Sequence, residues 1–195
     1  LSSLRGAQQL MMGLLLEPDW VKTRIQEINR VFFEAYTRVY NLIKDDAGGA
    51  SFSAFQLWAP GKVAKVQADA SAMLSPAQFE EFVAPALAEQ CRWLDYSMYH
   101  LDGVQCIPHL DVLLGIEALD AIQWTPQDGK PGVGDPCWFD MYRRIIEAGK
   151  SLQVIGLRAE EAPRLFDAIG TNGVYAVVGF TGGGITVDAF AGLLR

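Results

Sequence analysis

The 195 residues are half hydrophobic and carry a net charge of −7, with 16 Lys and Arg against 23 Asp and Glu. This composition suits one soluble globular domain with a real core, and an acidic balance without a Lys/Arg cluster argues against nucleic acid and anionic membranes. The longest apolar stretches, such as 10–16, fall well short of the roughly 20 residues that span a bilayer, and no charged-then-apolar leader is visible, so a cytoplasmic protein is expected.

Leu1 stands where an initiator methionine would, and the first residues already read as helix, as in a fragment of a longer chain. Pro18 then opens a long amphipathic helix with Trp20, Ile25, Ile28, Phe32, Tyr36, Val39 and Ile43 on one stripe, ended by Gly48 and Gly49. A stripe of that kind is expected to be core. A run at 53–58 follows, then a turn at Pro60 and Gly61, then an alternating strand at 64–69. Ser75-Pro76-Ala77-Gln78 is a capping box with proline at the first helical position, ahead of Phe79, Phe82, Val83 and Leu87. Pro85 inside that helix removes a backbone bond and is expected to kink it.

From there strand and helix alternate: 98–101 before 110–114, 121–125 before 138–148, 152–157 before 160–169, and 173–178 before 186–194. Serial βα units imply parallel strands joined by right-handed crossovers, an α/β fold rather than a sandwich. Cys91, Cys106 and Cys137 have no CxxC spacing and an odd count, so reduced thiols are expected, Cys106 as a small buried hydrophobe. Gly182-Gly183-Gly184 follows a strand and precedes a helix; it fits no phosphate-loop pattern and reads as a flexible turn more than an anion cradle.

The string Ser-Met-Tyr-His-Leu-Asp-Gly at 97–103 carries one of the two histidines at a strand end, where α/β enzymes present catalytic groups. His100 and Asp102 occupy alternate strand positions and share a face, suiting them to bind a metal, to act as an acid/base pair, or to form an interior polar pair. Asp69 closes the strand at 64–69, as an acid assisted by Ser71 or as a cap for the next turn. Gln123 at the end of its strand offers an amide to a substrate carboxylate or amide. Trp124 and Trp58, also at strand ends, read either as pocket walls or as core. The second His-Leu-Asp string, His109 to Asp111, follows Pro108 and reads as a helix cap or surface. No GxSxG elbow supports a hydrolase triad.

At Asp69-Ala-Ser71, in Leu-Ser-Pro-Ala-Gln-Phe-Glu-Glu-Phe-Val-Ala-Pro at 74–85 and in Tyr-His-Leu-Asp-Gly at 99–103, the chain resembles the uroporphyrinogen decarboxylase superfamily. The Ser-Pro-x-x-Phe-x-x-Phe-x-x-Pro helix after an acidic strand end is the specific part, and the likeness runs from about Leu4 to the C-terminus. The resemblance implies a TIM (β/α)8-type barrel, a fold that takes about 250 residues, so this chain would hold its C-terminal five to six βα units as one domain over 1–195. It implies catalytic roles for His100, Asp102 and Asp69, with Gln123, Trp124, Trp58 and Ser71 around a small-molecule substrate.

The superfamily also includes the methylcobamide:coenzyme M methyltransferases, which the site resembles more. Methyl transfer would need a corrinoid or methylated donor from a partner protein, and His100 and Asp102 are the residues that would hold a divalent metal, zinc, if one binds. Asp102 stands where that branch has a cysteine, and no cysteine follows the last strand. The alternative is cofactor-free decarboxylation of a porphyrinogen-like acid. A further alternative is a non-catalytic barrel fragment, whose unpaired edges imply a homodimer or a bound partner.

Overall fold

The computed structural model of the protein describes residues 1–179 together with Gly192. The triple glycine at 182–184 and the helix expected at 186–194 lie outside the described residues. The chain falls into two compact units, Leu1–Tyr99 with Gln105–Leu119, and His100–Val104 with the chain from Asp120 onward. Among the described residues seven strands form a two-stranded ribbon and a five-stranded sheet of order β3-β4-β5-β6-β7, an α/β architecture with consecutive strands adjacent.

The first unit begins with helices α1 (Ser2–Arg5), α2 (Ala7–Leu16) and α3 (Pro18–Ile43). Strands β1 (Ala50–Phe52) and β2 (Leu57–Ala59) pair antiparallel, with Ser51 opposite Trp58. The run expected as one strand at 53–58 is thus a short 3-10 turn, Ser53–Phe55, between two strands, with Gln56 left-handed at φ 54°. Strand β3 (Val63–Val66) runs parallel to the first half of β4 (Tyr96–Asp102), Val66 opposite Tyr99. The carboxylate of Asp95 accepts the Lys62 amide hydrogen at 2.8 Å and fixes where both strands start.

Between them the capping box closes as expected: the Gln78 amide donates to Ser75 Oγ at 3.2 Å, and the Ser75 amide donates to Gln78 Oε1 at 3.0 Å. Helix α4 (Pro76–Gln78) widens into a π turn over Phe79–Val83 before α5 (Ala84–Trp93) resumes, with Pro85 in its first turn. The extra residue in that turn is how the helix absorbs a proline that has no hydrogen to donate and a ring that crowds the preceding turn. Leu10, Leu14, Val21 and Phe82 form a buried cluster, with Ile25 and Leu74 packed against it.

The stripe of α3 is not a core. Only Val21 and Asn29 are buried along it, while Trp20, Val39 and Ile43 stand exposed. A helix of 26 residues is about 39 Å long, against about 27 Å for the helical stretch 76–93 beneath it, so among the described residues part of its apolar face is uncovered. Phe33 and Tyr36 cover Trp93, at ring separations of 4.8 and 5.4 Å, and the Tyr36 hydroxyl donates to the Val63 carbonyl at 2.7 Å.

After β4, a 3-10 segment (Val104–His109) leads into α6 (Leu110–Leu114). The second unit continues with β5 (Ala121–Thr125), a 3-10 turn (Pro136–Trp138), α7 (Phe139–Glu147), β6 (Ser151–Arg158), a 3-10 turn (Ala159–Glu161), α8 (Ala162–Ile169) and β7 (Val174–Gly179). β5, β6 and β7 are parallel. Ile122, Trp124, Leu152 and Val154 are fully buried on one sheet face, where Trp124 meets the Trp138 ring at 5.0 Å. Helix α7 buries Phe139, Met141, Tyr142 and Ile145 and packs on β6 and α8. The loop between β5 and α7 is tied down at two points: Trp138 Nε1 donates to the Gly132 carbonyl at 3.0 Å, and the Tyr142 hydroxyl to the Val133 carbonyl at 2.8 Å. Among the described residues no helix is long and apolar enough to cross a membrane.

Candidate active site

His100 and Asp102 close the carboxyl end of β4 on one face, as the two-residue strand period requires. His100 Nε2 lies 3.7 Å from Asp102 Oδ2; the imidazole is mostly buried and the carboxylate mostly exposed. On its other side, His100 Nδ1 meets Gln123 Oε1. Gln123 is buried, and its amide orientation follows from its partners: Nε2 donates to the Trp124 carbonyl at 2.7 Å and to Thr125 Oγ1 at 2.9 Å. A carbonyl only accepts, so the NH2 end must face it, and the Oε1 end is left facing the histidine. Nδ1 therefore carries the ring hydrogen, and in the neutral imidazole the lone pair sits on Nε2, toward Asp102 and the strand end.

The register extends this polar face. Gln123 is opposite Gln153 of β6, and Gln153 is opposite Tyr175 of β7. Side chains in register on parallel strands leave the same face, so His100, Gln123, Gln153 and Tyr175 make a polar row across three successive strand pairs. Gln153 is buried as deeply as Gln123, at 1% exposure, and sits between the apolar neighbours Leu152 and Val154. The sequence reading missed Gln153, Tyr175 and Thr125. A glutamine centred in an apolar strand, two residues into its unit as Gln123 is, was the signal available.

Trp124 is a correction. As the neighbour of Gln123 in a strand it points to the other face, where it is fully buried against Trp138, so it is core and not a wall of the site. Trp58 is another: it pairs with Ser51 in the antiparallel ribbon, 63% exposed, and ends no strand of the parallel sheet.

Asp69 and Ser71 belong to the first unit. β3 stops at Val66, and Asp69 opens the 3-10 turn Asp69–Met73 instead of ending the strand. Its carboxylate accepts from Gln67 Nε2, whose Oε1 accepts from Lys65 Nζ, so the charge is answered locally. Both residues border a cavity of about 330 Å³ whose walls are mostly apolar, among them Leu10, Leu14, Val21 and Phe82. Ser71 itself is 1% exposed, with Oγ 3.4 Å from Cys106 Sγ and its carbonyl 2.9 Å from His109 Nε2. His109, expected as a cap or at the surface, is buried and stacked on Phe79 with ring centroids 4.4 Å apart. Burial pushes the pKa of the neighbouring Tyr99 hydroxyl up to about 12, partly offset by its hydrogen bond with Ser71. Ser71, Tyr99, Cys106 and His109 are thus a hydrogen-bonded interior.

His100 and Asp102 supply two donors toward a cation, while a catalytic zinc takes three protein ligands, and among the described residues no group of three His, Cys, Asp or Glu gathers to hold one. What the arrangement offers by itself is a histidine whose Nδ1 is held by Gln123 and whose Nε2 lies beside the Asp102 carboxylate at a strand end. No family model matches the chain, and no curated protein or solved structure matches it either.

Proposed function

We propose that the chain is an acid–base enzyme of the uroporphyrinogen decarboxylase superfamily kind, carried on part of a TIM-type barrel, in which His100 exchanges a proton with a small polar substrate. The observation that carries this reading is the fixed tautomer of His100, held on Nδ1 by Gln123 with Nε2 facing the strand end and the Asp102 carboxylate 3.7 Å away. A general base works when one nitrogen is anchored and the other is presented with its lone pair; the adjacent carboxylate then favours the imidazolium that forms. Five strands in consecutive order support the barrel, since a doubly wound sheet reverses order at a switch point.

The same base serves either reaction of the superfamily. In methyl transfer, the favoured branch, Nε2 takes the proton from the acceptor as the methyl group arrives from a donor on a partner protein. In decarboxylation the ring, protonated from solvent, gives that proton to the carbon left with the bonding pair as carbon dioxide departs. The test is long-range 1H–15N correlation on the His100 ring. A neutral ring protonated on Nδ1 is the expected result; a proton on Nε2 removes the base and overturns the reading.

Self-association is a second reading, favoured by the uncovered Val31, Val39, Leu42 and Ile43 on α3. A monomeric mass by light scattering across the working concentration range would discard it.

A further inference from the structure

The uncovered face of α3 has a symmetry of its own. Ile28, Val31, Ala35, Val39 and Leu42 recur at spacings of three, four, four and three, so all five fall within about 40° of the direction of Ala35 around the helix. The stripe reads alike from either end: Val31 and Val39 flank Ala35 at four residues, and Ile28 and Leu42 at seven. Val31, Val39 and Leu42 are 65%, 53% and 85% exposed, Ala35 is exposed, and Ile28, beside the cavity of the first unit, is half-buried.

We propose that this face docks on the same face of a second copy of the chain, the two α3 helices running antiparallel about a two-fold axis at Ala35. The assignment rests on the self-association reading above and names its surface and geometry. A two-fold interface requires one patch to be complementary to itself. With Ala35 against Ala35, each Val31 meets a Val39 and each Ile28 meets a Leu42, over about 21 Å of helix. Ala35 presents only a methyl group at the crossing point, which lets the axes approach to about 8 Å.

The charges select the antiparallel direction. Glu34 and Arg38 stand exposed on one flank of the stripe, and neither makes an ion pair among the described residues. In the antiparallel pair that flank meets itself, and each Glu34 comes within about 3 Å, measured along the axis, of the partner's Arg38. The two Glu34 side chains also approach each other, but an Arg38 stands on either side of them, so opposite-sign neighbours outnumber like ones. A parallel pair would turn the charged flank toward Val39 and Ile43 and leave Glu34 and Arg38 without opposite charges across the interface. One helix face buries less than the roughly 1,200–2,000 Å² of a standard stable interface, so the expected dimer has a micromolar dissociation constant.

The test is sedimentation equilibrium of the intact protein from about 1 μM to 1 mM. A monomer–dimer equilibrium is expected. Leu42→Asp, at a position too exposed to unfold the chain, should weaken it about a hundredfold, since each dimer loses two leucines. Glu34→Arg and Arg38→Glu should each weaken it about tenfold, and the two together should restore it. In a Cys137→Ser background, which leaves only the buried Cys91 and Cys106, Ala35→Cys should give a covalent dimer on copper-catalysed oxidation, and Arg30→Cys, off the stripe, should not. A monomer throughout the range overturns the pairing and the self-association reading together. A dimer that survives Leu42→Asp, that the double charge exchange fails to restore, or that cross-links through Ala35→Cys no faster than through Arg30→Cys overturns the α3 pairing and leaves self-association through another surface.

Discussion

Replacing Gln123 with leucine removes the amide while keeping nearly its volume, which makes it the sharpest probe of how the site is held. Three interactions go: those to the Trp124 carbonyl, to Thr125 Oγ1 and to His100 Nδ1. The Thr125 hydroxyl is half-buried and can turn to water, leaving two groups without their partner at about 1–3 kcal/mol each. Better burial of leucine at a position 1% exposed returns about 1–2 kcal/mol. The net expectation is a loss of about 2 kcal/mol, read as a lower urea midpoint at unchanged slope. In the same variant the ring hydrogen of His100 is no longer confined to Nδ1, and the 15N shifts should move toward a mixture of tautomers. Stability within about 0.5 kcal/mol of the parent together with an unmoved tautomer would refute the reasoning, because surface-like indifference is incompatible with a buried orienting amide.

His100→Ala trims a ring at a strand end and is expected to change folding little while abolishing proton transfer; Phe82→Ala empties a place in the cluster with Leu10, Leu14 and Val21 and should cost about 3–5 kcal/mol in urea unfolding. Equal destabilisation by the two, with ligand binding intact in the first, would make His100 structural. Tyr99 predicts an alkaline limit. Its pKa in the folded protein is raised to about 12 from an ordinary 10.0, so the stabilising difference is whole below about pH 10 and is lost as pH rises through 12. The size is on the order of 3 kcal/mol; Tyr99→Phe should flatten that stretch of the pH–stability curve, and an unchanged curve would assign the loss elsewhere. Zinc added to the protein is expected to bind through nitrogen and oxygen only, at His100 and Asp102, and weakly for want of a third donor. Sulfur in the X-ray absorption shell would contradict this.

The βα alternation was legible because each unit has its own punctuation. Gly103, Pro136 and the Ser75 box mark boundaries that the strands and helices respect to within a few residues. The antiparallel ribbon was not legible, since Ser53 to Trp58 read as one continuous run, which the left-handed Gln56 breaks. The α3 stripe misled for a different reason. Periodicity reports that a face is apolar, not that anything is long enough to cover it. Of the candidate site, His100, Asp102 and Gln123 were visible from strand-end position alone. Trp124 was misjudged because a strand end has two faces and only tertiary packing says which one the helices occupy.

That last point governs the second unit as a whole. Ile122, Trp124, Leu152 and Val154 commit one face of β5 and β6 to helix packing, and a two-residue period then forces whatever lies between them onto the opposite face. Gln123 and Gln153 sit at those intervening positions, so the apolar packing that stabilises the sheet also fixes where the amides point. A register slip of one residue would bury them under α7 and expose the tryptophan, at a cost in both hydrophobic burial and unpaired polar groups. The polar row is therefore held by the core behind it. Where the alternation of β6 is broken, at Gly156, a charged side chain, Arg158, is transferred from the packed face to the polar one.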